Sequence, residues 1–98
     1  MIRELRVQPL AEADLSQAYR WYELQRNGLG RELLQDAESC FERIARNPAS
    51  FPYVRGSVRR ALLKRFPYCA YFDDTRTTIM VLAVLHGRRH PAVWKSRI

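Results

Sequence analysis

Cysteine is scarce in this chain of 98 residues: there are only Cys40 and Cys69. No Cys-x-x-Cys exists, which removes the usual frame of a structural zinc site. Two isolated thiols fit buried free cysteines in a reducing compartment. Long apolar runs are missing too: none approaches the roughly 18–20 residues that cross a bilayer. The opening Met1-Ile2-Arg3-Glu4-Leu5-Arg6 lacks the apolar stretch of a secretory signal, so a cytoplasmic location without membrane contact is expected. There is no repeat, low-complexity tract or linker, and the length suits one domain over residues 1–98. No glycine-rich phosphate loop is present, because Gly28-Leu29-Gly30 runs into Arg31-Glu32 and follows a helical segment rather than a strand.

Acidic residues are nearly absent from one half. Residues 1–54 hold seven arginines against eight acids, a balance of −1. Residues 55–98 hold ten Lys or Arg against Asp73 and Asp74, a balance of +8. A neutral scaffold is thus joined to a strongly basic half, which attracts polyanions or an acidic protein partner. Cations on edge strands also keep sheets from pairing with one another, and this is the alternative reading of each of them.

The remaining pattern is regular. Residues 3–8 alternate around Leu5 and Val7, as a strand does. Residues 11–26 place Leu15, Ala18, Tyr19 and Tyr22 at helical spacing, with Glu12 and Asp14 suiting the first turn. Asn27-Gly28 breaks that helix. A second is predicted over Leu29–Arg46, where Leu33, Ala37, Cys40, Phe41 and Ile44 form one apolar stripe. Asn47-Pro48 ends it. Strands are predicted over Val58–Arg65, Tyr68–Phe72 and Thr77–Leu85, the last apolar on both faces as a central strand is. Asp73-Asp74-Thr75-Arg76 is read as the hairpin loop between the last two. The order β-α-α-β-β-β predicts an α+β domain, a helical hairpin packed on a small, mostly antiparallel sheet. Trp21-Tyr22 and the Tyr68, Tyr71, Phe72 group are read as packing residues.

Arg55, Arg59, Arg60, Lys64 and Arg65 precede Phe66-Pro67-Tyr68, and His86-Gly87-Arg88-Arg89-His90 and Trp94-Lys95-Ser96-Arg97 follow later. Arginine forks bind phosphates and carboxylates, and aromatic rings beside them stack on bases or guanidinium planes. The two basic stretches are expected to converge on one surface. His86 and His90 are four residues apart, but Gly87 and Pro91 argue against the helix that would make the spacing matter, and no acid lies near, so no metal is expected. A neutral imidazole could serve as a general base, against the alternative reading of His86 as a hydrogen-bonded structural histidine. Cys40 falls on the apolar stripe and makes a poor nucleophile.

The series Ala11-x-x-Asp14-Leu15, Trp21-Tyr22, Gly28-Leu29-Gly30, Asn47-Pro48, Phe51-Pro52, Val58-Arg59-Arg60-Ala61-Leu62-Leu63, Arg65-Phe66-Pro67-Tyr68 and Val84-Leu85-His86-Gly87-Arg88-Arg89-x-Pro91-x-x-Trp94 resembles the RelE/ParE toxin superfamily, with the stronger likeness to its ParE-like branch. The resemblance spans residues 7–94. It implies a toxin fold, a cognate antitoxin that neutralises the chain, and operator DNA bound only through that antitoxin. For the ParE-like branch it implies a DNA gyrase inhibitor without chemistry or cofactor of its own. For the RelE-like branch it implies an endoribonuclease that cuts messenger RNA on the ribosome. The partner-contact residues would then be Arg59, Arg60, Arg65, Tyr68, Arg88, Arg89 and Trp94. A nuclease would draw on Arg60, Lys64, Arg65, His86 and His90. No tyrosine follows Tyr71 to act as a tail acid or base, Phe72-Asp73 stands where the family often has Tyr-Arg, and His90 stands where it often has Asp.

Overall fold

A computed structural model describes residues 4–75, 77–87 and 95–97. Strand β1 (Glu4–Val7) leads into helix α1 (Pro9–Gln25) and helix α2 (Leu29–Arg46). A short 3-10 turn (Pro48–Ser50) then precedes β2 (Tyr53–Arg55), β3 (Val58–Leu62), β4 (Tyr68–Asp74) and β5 (Thr78–His86). The sheet runs β1-β5-β4-β3-β2. Only the β1–β5 pair is parallel, and β2 to β5 form antiparallel neighbours. The architecture is the α+β helical hairpin on a mixed, mostly antiparallel sheet that the periodicities predict, with one strand more.

Helix α1 starts two residues before the predicted position because Pro9 occupies its first turn, where a missing N–H costs nothing. Gly28 turns the chain with φ +91 and forms the N-cap of α2, a left-handed conformation that glycine adopts without strain. Gly30 is needed for a different reason. A Cβ there would sit 2.7 Å from both the Tyr19 carbonyl oxygen and its ring, so the two helices touch backbone to side chain. The Gly30 N–H donates to Glu23 Oε1 at 2.8 Å, supplying an acceptor for one of the orphan donors of the α2 N-terminus.

The stripe predicted on α2 is the one that buries: Leu33, Ala37, Cys40 and Ile44 are sealed against Ala61, Ala70, Phe72, Ile79, Val81 and Val84 of the sheet. Val58, Cys69, Tyr71, Ala83 and Leu85 form a second buried cluster on the opposite sheet face. Strand β5 lies between β1 and β4 with apolar residues in both clusters, which explains its two-sided apolar sequence. A bulge interrupts it: Tyr71 faces Ala83 while Phe72 faces Val81, leaving Leu82 extra.

Beyond one-residue shifts at strand ends, three features of the strands differ from the sequence reading. Strand β3 ends at Leu62, not Arg65, because the backbone N–H groups of residues 64–66 turn inward to Asp36. Asp73 and Asp74 belong to β4, and the turn beyond it is closed by Thr75, whose N–H donates to Thr78 O at 3.1 Å and whose hydroxyl accepts from Thr78 N at 3.1 Å. Strand β2, three residues after Pro52, was not anticipated. Among the described residues no helix is long and apolar enough to cross a membrane.

Candidate partner-binding surface

The β3–β4 loop carries Lys64 and Arg65, and one buried carboxylate shapes it. Asp36 of α2 is 6% exposed. It accepts the backbone N–H groups of Lys64 at 3.3 Å, Arg65 at 2.9 Å and Phe66 at 2.9 Å. Three donors facing one anion hold the loop open and turn the Lys64 and Arg65 side chains to solvent, where both residues are exposed. Arg65 then reaches Glu32 at 2.7 Å, and Arg26 from the end of α1 reaches the other oxygen of the same carboxylate at 2.8 Å. These hydrogen bonds, from Arg26 first and Arg65 second, hold the Glu32 carboxyl below its ordinary range.

Aromatic rings continue from this loop across the molecule. Phe66 meets Tyr22 edge-on at 5.0 Å, Tyr22 meets Trp21 at 4.9 Å and Tyr68 at 6.2 Å, and Tyr68 meets the His86 ring at 5.5 Å. Such edge-to-face pairs fix one another's orientation. The Arg65 guanidinium lies 5.8 Å from the Phe66 ring centre.

Two grooves open on either side of this ladder. One, of about 420 Å³, lies between α1 and the ends of β4 and β5, and its walls include Gln17, Trp21, Tyr22, Tyr68, Val84 and His86. The other, also about 420 Å³, is walled by Leu62, Leu63, Phe66, Pro67, Cys69 and Gly87, with Lys64, Arg65, Tyr68 and His86 contributing. Tyr68 and His86 belong to both, so the grooves adjoin.

The first groove's floor is tied down by Asp14. Past Val7 the chain leaves the sheet for α1, so the edge of β5 needs another acceptor there, and the Val84 N–H donates to Asp14 Oδ2 at 3.0 Å. Arg97 donates to both oxygens of the same carboxylate, at 2.6 Å and 3.0 Å, a two-pronged pairing. The Asp14 of the sequence motif is therefore a strut between α1, β5 and the chain's last residues.

The structure gathers only part of the predicted basic surface. Lys64, Arg65, Tyr68 and His86 surround the second groove. Arg59 lies apart, against the β2 edge. It donates to Phe51 O at 2.6 Å and Tyr53 Oη at 2.6 Å, with Asp74 3.6 Å away, so its guanidinium is engaged within the molecule. Arg60 projects from the sheet face opposite the helices, level with Tyr71. There burial pushes the Tyr71 phenol up, the Cys69 thiol adds to this, and Arg60 opposes it. Burial likewise raises Cys69, and it pushes Cys40 up to about 11, so neither thiol is poised as a nucleophile. Arg88, Arg89, His90 and Trp94 lie outside the described residues. Among the described residues no group of three or more His, Cys, Asp or Glu could hold a metal ion.

Sequence reasoning missed α1's share of the surface. Trp21, read as packing, is 57% exposed, and Leu24 is 84% exposed. Helical spacing sees the buried side of α1 but does not distinguish a second apolar face left in solvent. Asp36 did leave a trace: it is an acid within the apolar stripe, one position before Ala37, where a carboxylate needs buried donors.

A helical hairpin on one face of a five-stranded mixed sheet, with two adjoining grooves and a cationic loop beside the second, defines a small α+β domain. A family model described as the ParE toxin of the type II toxin–antitoxin system, parDE, matches residues 5–91, and the chain belongs to that family. A solved structure described as the chromosomal ParDE TA system from P. aeruginosa shares the fold, with a TM-score of 0.77 and 21% sequence identity over 87% of this chain and 96% of that one. No curated protein matches the chain in sequence.

Proposed function

We propose that this chain is the toxin half of a toxin–antitoxin pair, that it inhibits DNA gyrase without chemistry of its own, and that a cognate antitoxin neutralises it in the cytoplasm. The family match across residues 5–91 carries the reading. The surface supports it. Two grooves meeting at Tyr68 and His86, the second mostly apolar with Lys64 and Arg65 at its rim, suit a segment that offers apolar anchors flanked by carboxylates. Exposed Trp21 is a ready anchor at the wall of the first groove. Arg60, Arg65 and Tyr68 remain proposed contacts for antitoxin or target, as do Arg88, Arg89 and Trp94; Arg59 contributes through the edge it organises. Operator DNA is reached only through the antitoxin.

The test is a gyrase supercoiling and cleavage assay with purified protein. Loss of supercoiling that the antitoxin reverses supports the reading, and no effect at excess toxin overturns it. One observation favours a second reading: Lys64, Arg65 and His86 share one groove, where a ribosome-bound messenger RNA could be cut. Mapping transcript 5′ ends after induction separates the two, since only a nuclease leaves A-site cuts.

A further inference from the structure

Arg65, a proposed partner contact, already holds a carboxylate, that of Glu32 in the first turn of α2. Arg65 Nη2 donates to Glu32 Oε1 at 2.7 Å, and Arg26 Nη2 donates to Oε2 at 2.8 Å, so each guanidinium takes a different oxygen. The two pairs differ in reach. Arg26 caps the end of α1, six residues before Glu32 and within the same helical hairpin, whereas Arg65 comes from the β3–β4 loop, 33 residues away. The arginine side chains are 58% and 60% exposed, and that of Glu32 is 28% exposed. Ion pairs this open to water are weak and exchange readily.

Two features set what happens when an acidic partner approaches. The loop backbone does not yield, because Asp36 accepts the N–H groups of residues 64–66. Arg65 therefore changes partner by moving its side chain alone. Glu32 also keeps support without Arg65: it sits at the positive end of α2, and Arg26 is the larger cause of its lowered pKa, with Arg65 the second. Release of Arg65 thus strands neither charge. The present occupant shows which chemistry the arginine accepts. A guanidinium set against a side-chain carboxylate, beside a groove walled by Leu62, Leu63 and Phe66, suits an acidic side chain next to an apolar one, as a protein segment offers.

We propose that Glu32 is a built-in competitor for the acidic partner: it occupies Arg65 in the free chain, a partner carboxylate takes Arg65 from it, and Arg26 retains Glu32 when that happens. The inference rests on the reading that this surface receives an acidic protein segment, and it is independent of gyrase. Glu32 thereby sets a threshold. A segment that brings carboxylates without apolar contacts in the groove gains little over the internal pair, so poorly matched acidic chains are turned away.

The test is fluorescence anisotropy of the full chain with a labelled peptide of Glu and Leu residues, from low to high salt, with a Gln-and-Leu peptide and a labelled dT oligomer as comparisons. The acidic peptide should bind more tightly than its Gln counterpart. Glu32→Gln should tighten it by roughly two- to fivefold at low salt, the range of an exposed ion pair, and the gain should shrink as salt screens the charges. Glu12→Gln, which removes the same charge near the other end of α1, should give no such gain. With Arg65→Ala in place, most of the Glu32→Gln gain should disappear, a coupling that locates the competition at Arg65. In carboxyl NMR titrations, peptide binding should raise the Glu32 pKa, because Arg65 leaves and a like charge arrives. An unaltered Glu32 titration in the complex overturns the proposal. So does equal or weaker peptide binding by Glu32→Gln with a native circular dichroism spectrum, an equal gain in Glu12→Gln, or a gain confined to the dT oligomer. These results leave the acidic-partner reading standing as long as the acidic peptide binds. Failure of that peptide to bind at low salt, in wild type and Glu32→Gln alike, removes the reading and the competitor together.

Discussion

Replacing Asp36 tests whether one buried carboxylate holds the partner-facing loop. Asp36→Ala leaves the N–H groups of Lys64, Arg65 and Phe66 without their acceptor. A hydrogen bond to a charged group is worth about 1.5–3 kcal/mol, and a buried donor left unpaired costs about 1–3 kcal/mol. The Phe66 N–H bond is buried, whereas those of Lys64 and Arg65 are only partly so, and water can replace the carboxylate there. The net loss should therefore be about 3 kcal/mol, not three full penalties. Asp36→Asn can keep its amide oxygen towards Arg65 and Phe66, but its NH2 then faces the Lys64 N–H, donor against donor, so about half the loss is expected. Urea denaturation read by circular dichroism measures both variants. With a slope of roughly 1–1.5 kcal/mol/M for a domain of this size, Asp36→Ala should lower the midpoint by about 2–3 M. A change below about 0.5 kcal/mol in Asp36→Ala, within the range of an ordinary surface substitution, refutes the argument.

Four further outcomes are expected. Gly30→Ala should destabilise the protein by about 1–3 kcal/mol despite alanine's better helix propensity, because the added methyl meets the Tyr19 carbonyl at 2.7 Å; thermal melting checks it. Glu32 has a folded pKa below its ordinary 4.5, so its contribution is present above that pH and is lost as pH falls through the folded value; Glu32→Gln should flatten this part of the acid stability curve. Cys40 is raised from 9.0 to about 11, so its proton stabilises the fold below pH 9 and that contribution fades between pH 9 and 11; native protein should also resist thiol reagents at pH 8.5 until denaturant is added. Trp21→Ala should weaken antitoxin binding by about 2 kcal/mol or more with little change in folding stability, as calorimetry would show.

Local patterning made most of the architecture readable. The bounds Leu29–Arg46 follow from Gly28, Asn47-Pro48 and an uninterrupted stripe, all within one stretch of chain. What escaped depended on distant partners. Lys64 and Arg65 look like strand continuation until Asp36, far back in sequence, captures their backbone. Tyr53-Val54-Arg55 looks like loop until Arg59 reaches across to hold it. The same holds for the surface. The Lys64, Arg65, Tyr68 and His86 group was legible as basic and aromatic residue types, but the reading that placed Arg59 and Arg60 on the same face did not allow for alternation. Neighbours in a strand point to opposite sides, which sends Arg60 away from the helices and Arg59 towards them.

The parallel pairing of β1 with β5 bears on how the molecule matures. Glu4 finds its partner at Thr78, whereas β3, β4 and β5 can zip together from neighbouring segments. Closing so long a loop is slow compared with forming a hairpin. During synthesis the first strand must therefore wait, unpaired, until the final strand has left the ribosome. Because Arg97 pairs with Asp14, a residue that follows β5 in the chain also braces a lining residue of the first groove. A nascent chain that has not yet emerged as far as Arg97 lacks that strut, which ties full assembly of the surface to a stretch made after the sheet.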